Sequence, residues 1–170
     1  MLKLTEFSHG AGCGCKLSPA VLEEIIGKVS FPLGDNRLLV GQSTKDDAAA
    51  YQWDDQNILL STTDFFLPIE DDPFLFGKIA AANALSDIYA MGGTPILALA
   101  ILGWPINKLP ASEASKVMAG AVEICKEARV VLAGGHSIDS PEPIFGLAVN
   151  GKVEKAKLKL NSNAQKGDVL

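Results

Sequence analysis

Apolar and polar positions fall into blocks along the chain, and the period of the pattern changes from block to block. Three short runs rich in Leu, Ile, Val, Ala and Tyr, at residues 38–40, 48–53 and 58–63, predict strands. The polar run Asp54-Asp55-Gln56-Asn57 between the last two is turn chemistry, and Asp64 falls at the end of the third strand. The period then becomes helical. Residues 74–91 hold Ala80, Ala81, Ala82 and Ala84, all of high helix propensity, and Gly92-Gly93 supplies the stop. Asn83 and Asp87 lie four apart and so share one helix face. Residues 95–103 are continuously apolar with no polar face, which predicts a central strand buried on both sides. A second helix is expected at 112–129, with Val117, Ala121, Ile124 and Cys125 on its apolar side. A short strand at 130–133 then runs into a Gly134-Gly135-His136-Ser137 loop, and 144–153 is the last long strand. There is no internal repeat.

The first sixteen residues follow neither period. Gly10, Gly12 and Gly14 alternate with small residues and thiols, a composition that forms no stable helix or packed strand and predicts a mobile loop. Ser18-Pro19 then opens a short helix through Val21, Leu22, Ile25 and Ile26, ended by Gly27. At the other end, Lys166-Gly167-Asp168 is a turn and Val169-Leu170 reads as the start of another strand. The expectation is an N-terminal portion of a longer protein.

The chain has 170 residues, enough for one domain, or one domain with an arm, around a sizeable core. With 48% apolar and 21% charged residues it is not a disordered chain, and the modest charge fraction hints at surface covered by a partner. Three cysteines do not make a disulfide framework, no secretion leader opens the chain, and the most apolar stretch is about half a membrane span. A reducing, cytoplasmic setting without membrane attachment is the default. A net charge of −5 argues against general nucleic-acid binding. Its distribution says more: residues 46–87 hold nine acids against one base, Lys78, a local −8 that leaves +3 for the rest. Asp54, Asp55, Asp71 and Asp72 suit turns. Asp47, Asp64 and Asp87 fit that reading less well, because each abuts an apolar or small-residue segment.

Several of these residues could carry chemistry. Cys13-Gly14-Cys15 is too tight for an easy disulfide. With His9 it could form part of a metal site; with Lys16 nearby it could be a reactive thiolate; or it is an exposed loop without a role. Cys125, on an apolar helix face, reads as core. Asp46-Asp47, Asp64 and Asp87 lie on separate elements, and hard carboxylates so arranged suit Mg²⁺ and phosphate oxygens. Thr44-Lys45 could add a hydroxyl and a cation for phosphate. No Gly-x-x-x-x-Gly-Lys-Ser/Thr run is present, which excludes a P-loop protein. Residues 134–137 either offer backbone N–H groups to an anion or form a simple turn. Together these features point to metal-assisted phosphoryl transfer.

The run His9-Gly-Ala-Gly-Cys13-Gly-Cys15-Lys16 closely resembles the N-terminal loop of the selenophosphate synthetases (selenide, water dikinases). The resemblance continues, in order, through Thr44-Lys45-Asp46-Asp47-Ala48, Ser61 to Phe66, Asn83 to Gly93, Ile101-Leu102-Gly103-Trp104-Pro105 and Ala133 to Asp139. The aspartate segments are shared with the wider aminoimidazole ribonucleotide synthetase-like superfamily, whereas the thiol loop is specific to this family. The implied fold class is α/β (α+β): a mixed sheet packed by two main helices, the aminoimidazole ribonucleotide synthetase-like N-terminal domain, with a flexible Gly/Cys-rich N-terminal arm. On that reading residues 1–36 are the catalytic arm with its short helix, 37–155 the ATP- and Mg²⁺-binding domain, and 156–170 the start of a linker to a C-terminal domain. The implied reaction converts ATP, selenide and water to selenophosphate, orthophosphate and AMP in a homodimer with shared sites. It uses Mg²⁺, with K⁺ left open as a further requirement. Cys13 and Lys16 match the family's catalytic pair, and Asp47, Asp64 and Asp87 its Mg²⁺-ATP aspartates. Thr44, Lys45 and Asp46 match nucleotide contacts, and Gly135, His136 and Ser137 match groups that reach ATP across the dimer. Two other readings stay open: a sibling ATP-dependent kinase or synthetase that uses the aspartates but not the thiols, and a non-enzymatic metal- or selenium-binding module.

Overall fold

The computed structural model describes residues 2–29, 35–41 and 44–169, the Cys13 side chain excepted. Six strands form one mixed sheet: β1 (Leu38–Val40), β2 (Ala49–Gln52), β3 (Asn57–Phe66), β4 (Thr94–Trp104), β5 (Val131–Asp139) and β6 (Ile144–Glu154), in the spatial order β1-β2-β3-β6-β4-β5. Neighbours are antiparallel except β4 and β5, which run parallel and are joined through helix α3 (Ala111–Glu127). That connection is long because parallel strands need a crossover. Helix α2 (Pro73–Ala90) joins β3 to β4 and lies on the sheet against β3 and β6, and α3 packs chiefly along α2. The short helix α1 (Pro19–Ile26) begins at Ser18, whose hydroxyl accepts the Val21 N–H, and ends at Gly27. The expected mixed sheet with two main helices is what forms.

Strand alternation decides which residues meet the helices. Ile58, Leu60 and Phe66 of β3 and Phe145, Leu147, Val149 and Val153 of β6 point into the core against Phe76, Ala80, Ala84 and Ile88 of α2. Phe76 stacks edge-on with Phe66 and with Phe145, at centroid distances of 5.9 and 6.4 Å, geometry that aromatic quadrupoles favour. The two helices touch backbone to backbone. A Cβ on Gly77 would overlap the Val117 carbonyl, and one on Gly120 the Phe74 carbonyl. Asp72 caps α2 by accepting the Leu75 N–H at 2.8 Å, and Asp54 accepts the Gln56 and Asn57 N–H groups, so these aspartates serve local backbone as turn residues should.

Four expectations need correction. β3 continues two residues past Asp64, because its ladder with β6 runs on to Phe66. Residues 134–137 are not a loop but part of β5, since pairing with β4 resumes at Gly135 after an irregularity. Gly134 takes φ +108°, and Gly135 sits so close to Ala100 that no Cβ would fit, so the glycine pair makes a bulge rather than an exit. β4 is not buried on both faces: Ala98 and Ala100 face the helices, while Ile96 and Leu99 are exposed on the opposite face. Val169 lies in no strand, and Leu170 is outside the described residues.

Among the described residues the glycine-rich arm carries no α-helix or strand before Pro19, as its composition implies, but two 3-10 turns, Leu4–Phe7 and Gly12–Cys15, fasten it to the domain. Leu4 is fully buried in the core and its N–H donates to the Asp71 carbonyl; the Thr5 hydroxyl donates to the Asp71 carboxylate.

Candidate active site

Two short ladders meet at the centre of the site. On β3, Thr62 and Asp64 share the helix-facing side and are about 6.6 Å apart along the strand. On α2, Asn83 and Asp87 are one turn apart, about 6 Å. The matched spacings let the elements pair twice. Asn83 Nδ2 donates to Asp64 Oδ2 at 2.6 Å, and Thr62 Oγ1 donates to Asp87 Oδ2 at 2.6 Å. The Thr62 hydroxyl also lies 3.3 Å from the Asp47 carbonyl oxygen, which brings the start of β2 to the same place. Burial pushes the Asp87 carboxyl above its usual range, and the charges of Asp64 and Asp47 push the same way; the Thr62 bond and Lys16 oppose them. Asp47, Asp64, Asp87 and Lys16 therefore share one electrostatic neighbourhood.

The arm reaches this centre. Lys16 Nζ lies 3.5 Å from Asp64 Oδ1. The Gly12 N–H donates to the Leu67 carbonyl at 3.1 Å; Gly12 needs its missing Cβ, because it takes φ +53° against the Ile69 side chain. His9 grips Glu142, two residues before β6, twice: its N–H donates to Oε1 and its ring Nδ1 meets Oε2, both at 2.6 Å. That pairing holds the Glu142 carboxyl below its ordinary range. The arm and β3 enclose a cavity of about 560 Å³ lined by His9, Gly12, Cys15, Lys16, Asp64 and Glu142 among others. Cys13 belongs to the turn between these lining residues; its side chain is outside the described residues. Cys125 is buried and its thiol is pushed up by burial, as a core residue's should be.

The remaining sequence candidates fall into two groups, one beside Asp47 and one on β5. Thr44 and Lys45 are exposed beside Asp47, and Asp46 accepts the Asn161 N–H at 2.7 Å. Gly135 is in the same row of the sheet as Asp64, through Leu147 and Ala100, but three strand spacings away, roughly 14 Å. His136 and Ser137 follow it on the exposed edge strand. Among the described residues, no three His, Cys, Asp or Glu side chains converge as a ready-made metal cluster. Sequence reasoning missed Thr62, Glu142 and Asn161. Their partners are 15 to 133 residues distant, so no local period marks them.

Known proteins resemble the chain in sequence and in fold. Residues 45–153 match the family described as AIR synthase related protein, N-terminal domain, and the chain belongs to that family. Over 99% of its length it is 62% identical to a protein of Shewanella sp. (strain W3-18-1) named selenide, water dikinase, and 61% identical to one of Shewanella baltica (strain OS155 / ATCC BAA-1091) with the same name. The chain spans about half the length of these curated relatives, 48% in each case. Among solved structures it resembles AaThiL complexed with AMPPCP and TMP, at TM-score 0.69 and 21% identity over 88% of this chain and 44% of that one. It also resembles a chain of the HypE-HypF complex, at TM-score 0.61 and 20% identity over 87% and 47%. At such identities these last two speak for the fold alone.

Proposed function

We propose that this chain is the nucleotide-binding half of a selenide, water dikinase, which makes selenophosphate from ATP, selenide and water with release of orthophosphate and AMP. The observation that carries the reading is the Lys16–Asp64 contact: the thiol arm specific to this family ends on the aspartate ladder shared by the superfamily. A sibling kinase that lacks the thiol chemistry would have no use for that junction, and the identity to the Shewanella proteins runs through both parts.

By donor type the carboxylates suit Mg²⁺, a hard cation that takes oxygen ligands, although no three of them converge on one point among the described residues. Asp87 is partly buried, crowded by Asp64 and Asp47, and relieved by one nearby cation, Lys16. Asp47, Asp64 and Asp87 would hold the ion together with phosphate oxygens; when bound, it screens the ATP charge from a −8 segment. The chain's own groups do the rest. Asn83 and Thr62 fix the carboxylate rotamers, so the phosphate chain meets a preset surface. Lys16 stabilises charge that develops on the transferred phosphoryl group, and Thr44 and Lys45 contact the nucleotide. Cys13 delivers or shields selenide while the arm excludes water from the first transfer, in which selenium bonds to phosphorus as the phosphoanhydride bond breaks. Water then enters for the second cleavage.

A homodimer accounts for β5. Among the described residues its outer edge has no partner strand; β5 carries Val131 and Ile138, 61% and 57% exposed, and the sheet face away from the helices presents Phe65 at 47%. Gly135, His136 and Ser137, too far from their own chain's Asp64, would serve a second copy's nucleotide. We place the protein in the cytoplasm; no helix among the described residues is long and apolar enough to cross a membrane. Residues 156–170 would begin the link to the second half present in the relatives, and K⁺ remains a cation to be titrated beside Mg²⁺. In the full-length protein, Cys13→Ser should abolish selenophosphate formation with ATP affinity within about twofold of wild type; unchanged synthesis would remove the thiol from the mechanism.

A further inference from the structure

The loop that leads into β2 holds a backbone conformation it would not choose by itself. Lys45 takes φ +53°, in the left-handed region where the Cβ crowds the backbone carbonyl oxygen and few non-glycine residues settle. Such strain persists only where the surroundings over-determine it. What determines it here comes from the far end of the chain. Asn161 Nδ2 donates to the Lys45 carbonyl oxygen at 3.0 Å, and the Asn161 backbone N–H donates to Asp46 Oδ1 at 2.7 Å. One residue thus fastens two successive members of the loop, one through its side chain and one through its backbone.

Asn161 is itself held. The segment before it crosses the end of the sheet, with the Lys155 N–H donating to the Gln56 carbonyl at 2.8 Å and the Lys159 N–H to the Met91 carbonyl at 3.1 Å. Leu158 and Leu160 pack against the core on either side of that second bond. A donor anchored this way can impose a conformation on a loop. The loop's next residue, Asp47, contributes to the electrostatics around Asp87, and its carbonyl lies beside Thr62.

We propose that Asn161 is a positioning residue for nucleotide binding: it clamps residues 44–46 in the shape that presents Thr44 and Lys45 to phosphate and sets Asp47 beside Asp87. The proposal rests on the nucleotide reading above. Asn161 touches no substrate; it acts through the loop. Loss of its side chain leaves the Asp46 bond, which uses the backbone, and releases only the strained Lys45 carbonyl.

The test is Asn161→Ala in the full-length protein, with two readouts. In the absence of ligand, hydrogen exchange of the amides of residues 44–47 should quicken several-fold, with the melting temperature within a few degrees of wild type. With Mg²⁺-ATP, KM for ATP should rise about tenfold and kcat should change less than twofold. Asn161→Gln, which keeps the amide donor on a longer stem, should recover part of both effects. Unchanged exchange at 44–47, or an unchanged KM for ATP, would overturn the clamp. A wild-type protein that binds no nucleotide would instead overturn the ATP reading, and the exchange comparison would still decide whether Asn161 holds the loop.

Discussion

The Asn83 amide donates a 2.6 Å hydrogen bond to the Asp64 carboxylate, which joins the middle of α2 to β3 at the point where Lys16 arrives. A hydrogen bond to a charged group contributes about 1.5–3 kcal/mol, and this one also fixes which oxygen Asp64 turns toward the arm. Asn83→Ala should therefore cost about 1.5 kcal/mol and lower the melting temperature by roughly 3–6 °C. It should also weaken Mg²⁺-nucleotide binding, measured by calorimetry. A variant that melts lower but binds nucleotide as wild type would confine Asn83 to a structural role.

Asp87 carries the opposite tension. Its carboxyl is raised by burial first and by Asp64 and Asp47 after that, so its ionisation works against the folded state as pH rises through the folded-state value. Asp87→Asn keeps an oxygen for the Thr62 hydroxyl and removes the charge. The variant should melt at or above the wild-type temperature near pH 7, and the gap should close below about pH 4, where both forms are neutral. Nucleotide binding with Mg²⁺ should be lost at the same time. Lower stability at pH 7 with retained binding would contradict the assigned tension.

The His9–Glu142 clasp predicts a pH dependence of the other sign. Pairing with His9 holds the Glu142 carboxyl low, so its contribution is complete above the unfolded glutamate value and is lost as pH falls through the depressed one. Glu142→Gln should loosen the arm near pH 7, seen as faster hydrogen exchange of the Gly12 amide, and should come to match wild type only once pH has fallen below the depressed Glu142 value. Equal exchange rates in the two proteins at pH 7 would remove the clasp from the account.

The sequence made the regular elements readable where period and punctuation agreed: both long helices, the Gly92 stop of the first of them, the short β1, and the Asp54 turn. It misled where one composition serves two geometries. Gly134-Gly135 reads as an exit from a strand, yet it forms a bulge because β4 continues to offer parallel partners as far as Trp104. Residues 95–103 look buried on both faces because their side chains are apolar throughout, yet Ile96 and Leu99 are exposed on the sheet face away from the helices. Within the site, Asn83 and Asp87 were legible as a helix face, and Asp64 as an acid beside a strand. Thr62, Glu142 and Asn161 were not, because each acts through a hydrogen bond to a residue on a different element, and neither propensity nor spacing encodes such a meeting.

The central claim is that the thiol arm and the aspartate ladder form one selenium-phosphorylating site. The most direct measurement is phosphorus NMR of the full-length protein with Mg²⁺-ATP and selenide. The account predicts signals for selenophosphate, orthophosphate and AMP in equal amounts, all dependent on selenide. ADP as the only nucleotide product, formed at the same rate with or without selenide, would contradict it and assign the ladder to a different phosphoryl acceptor.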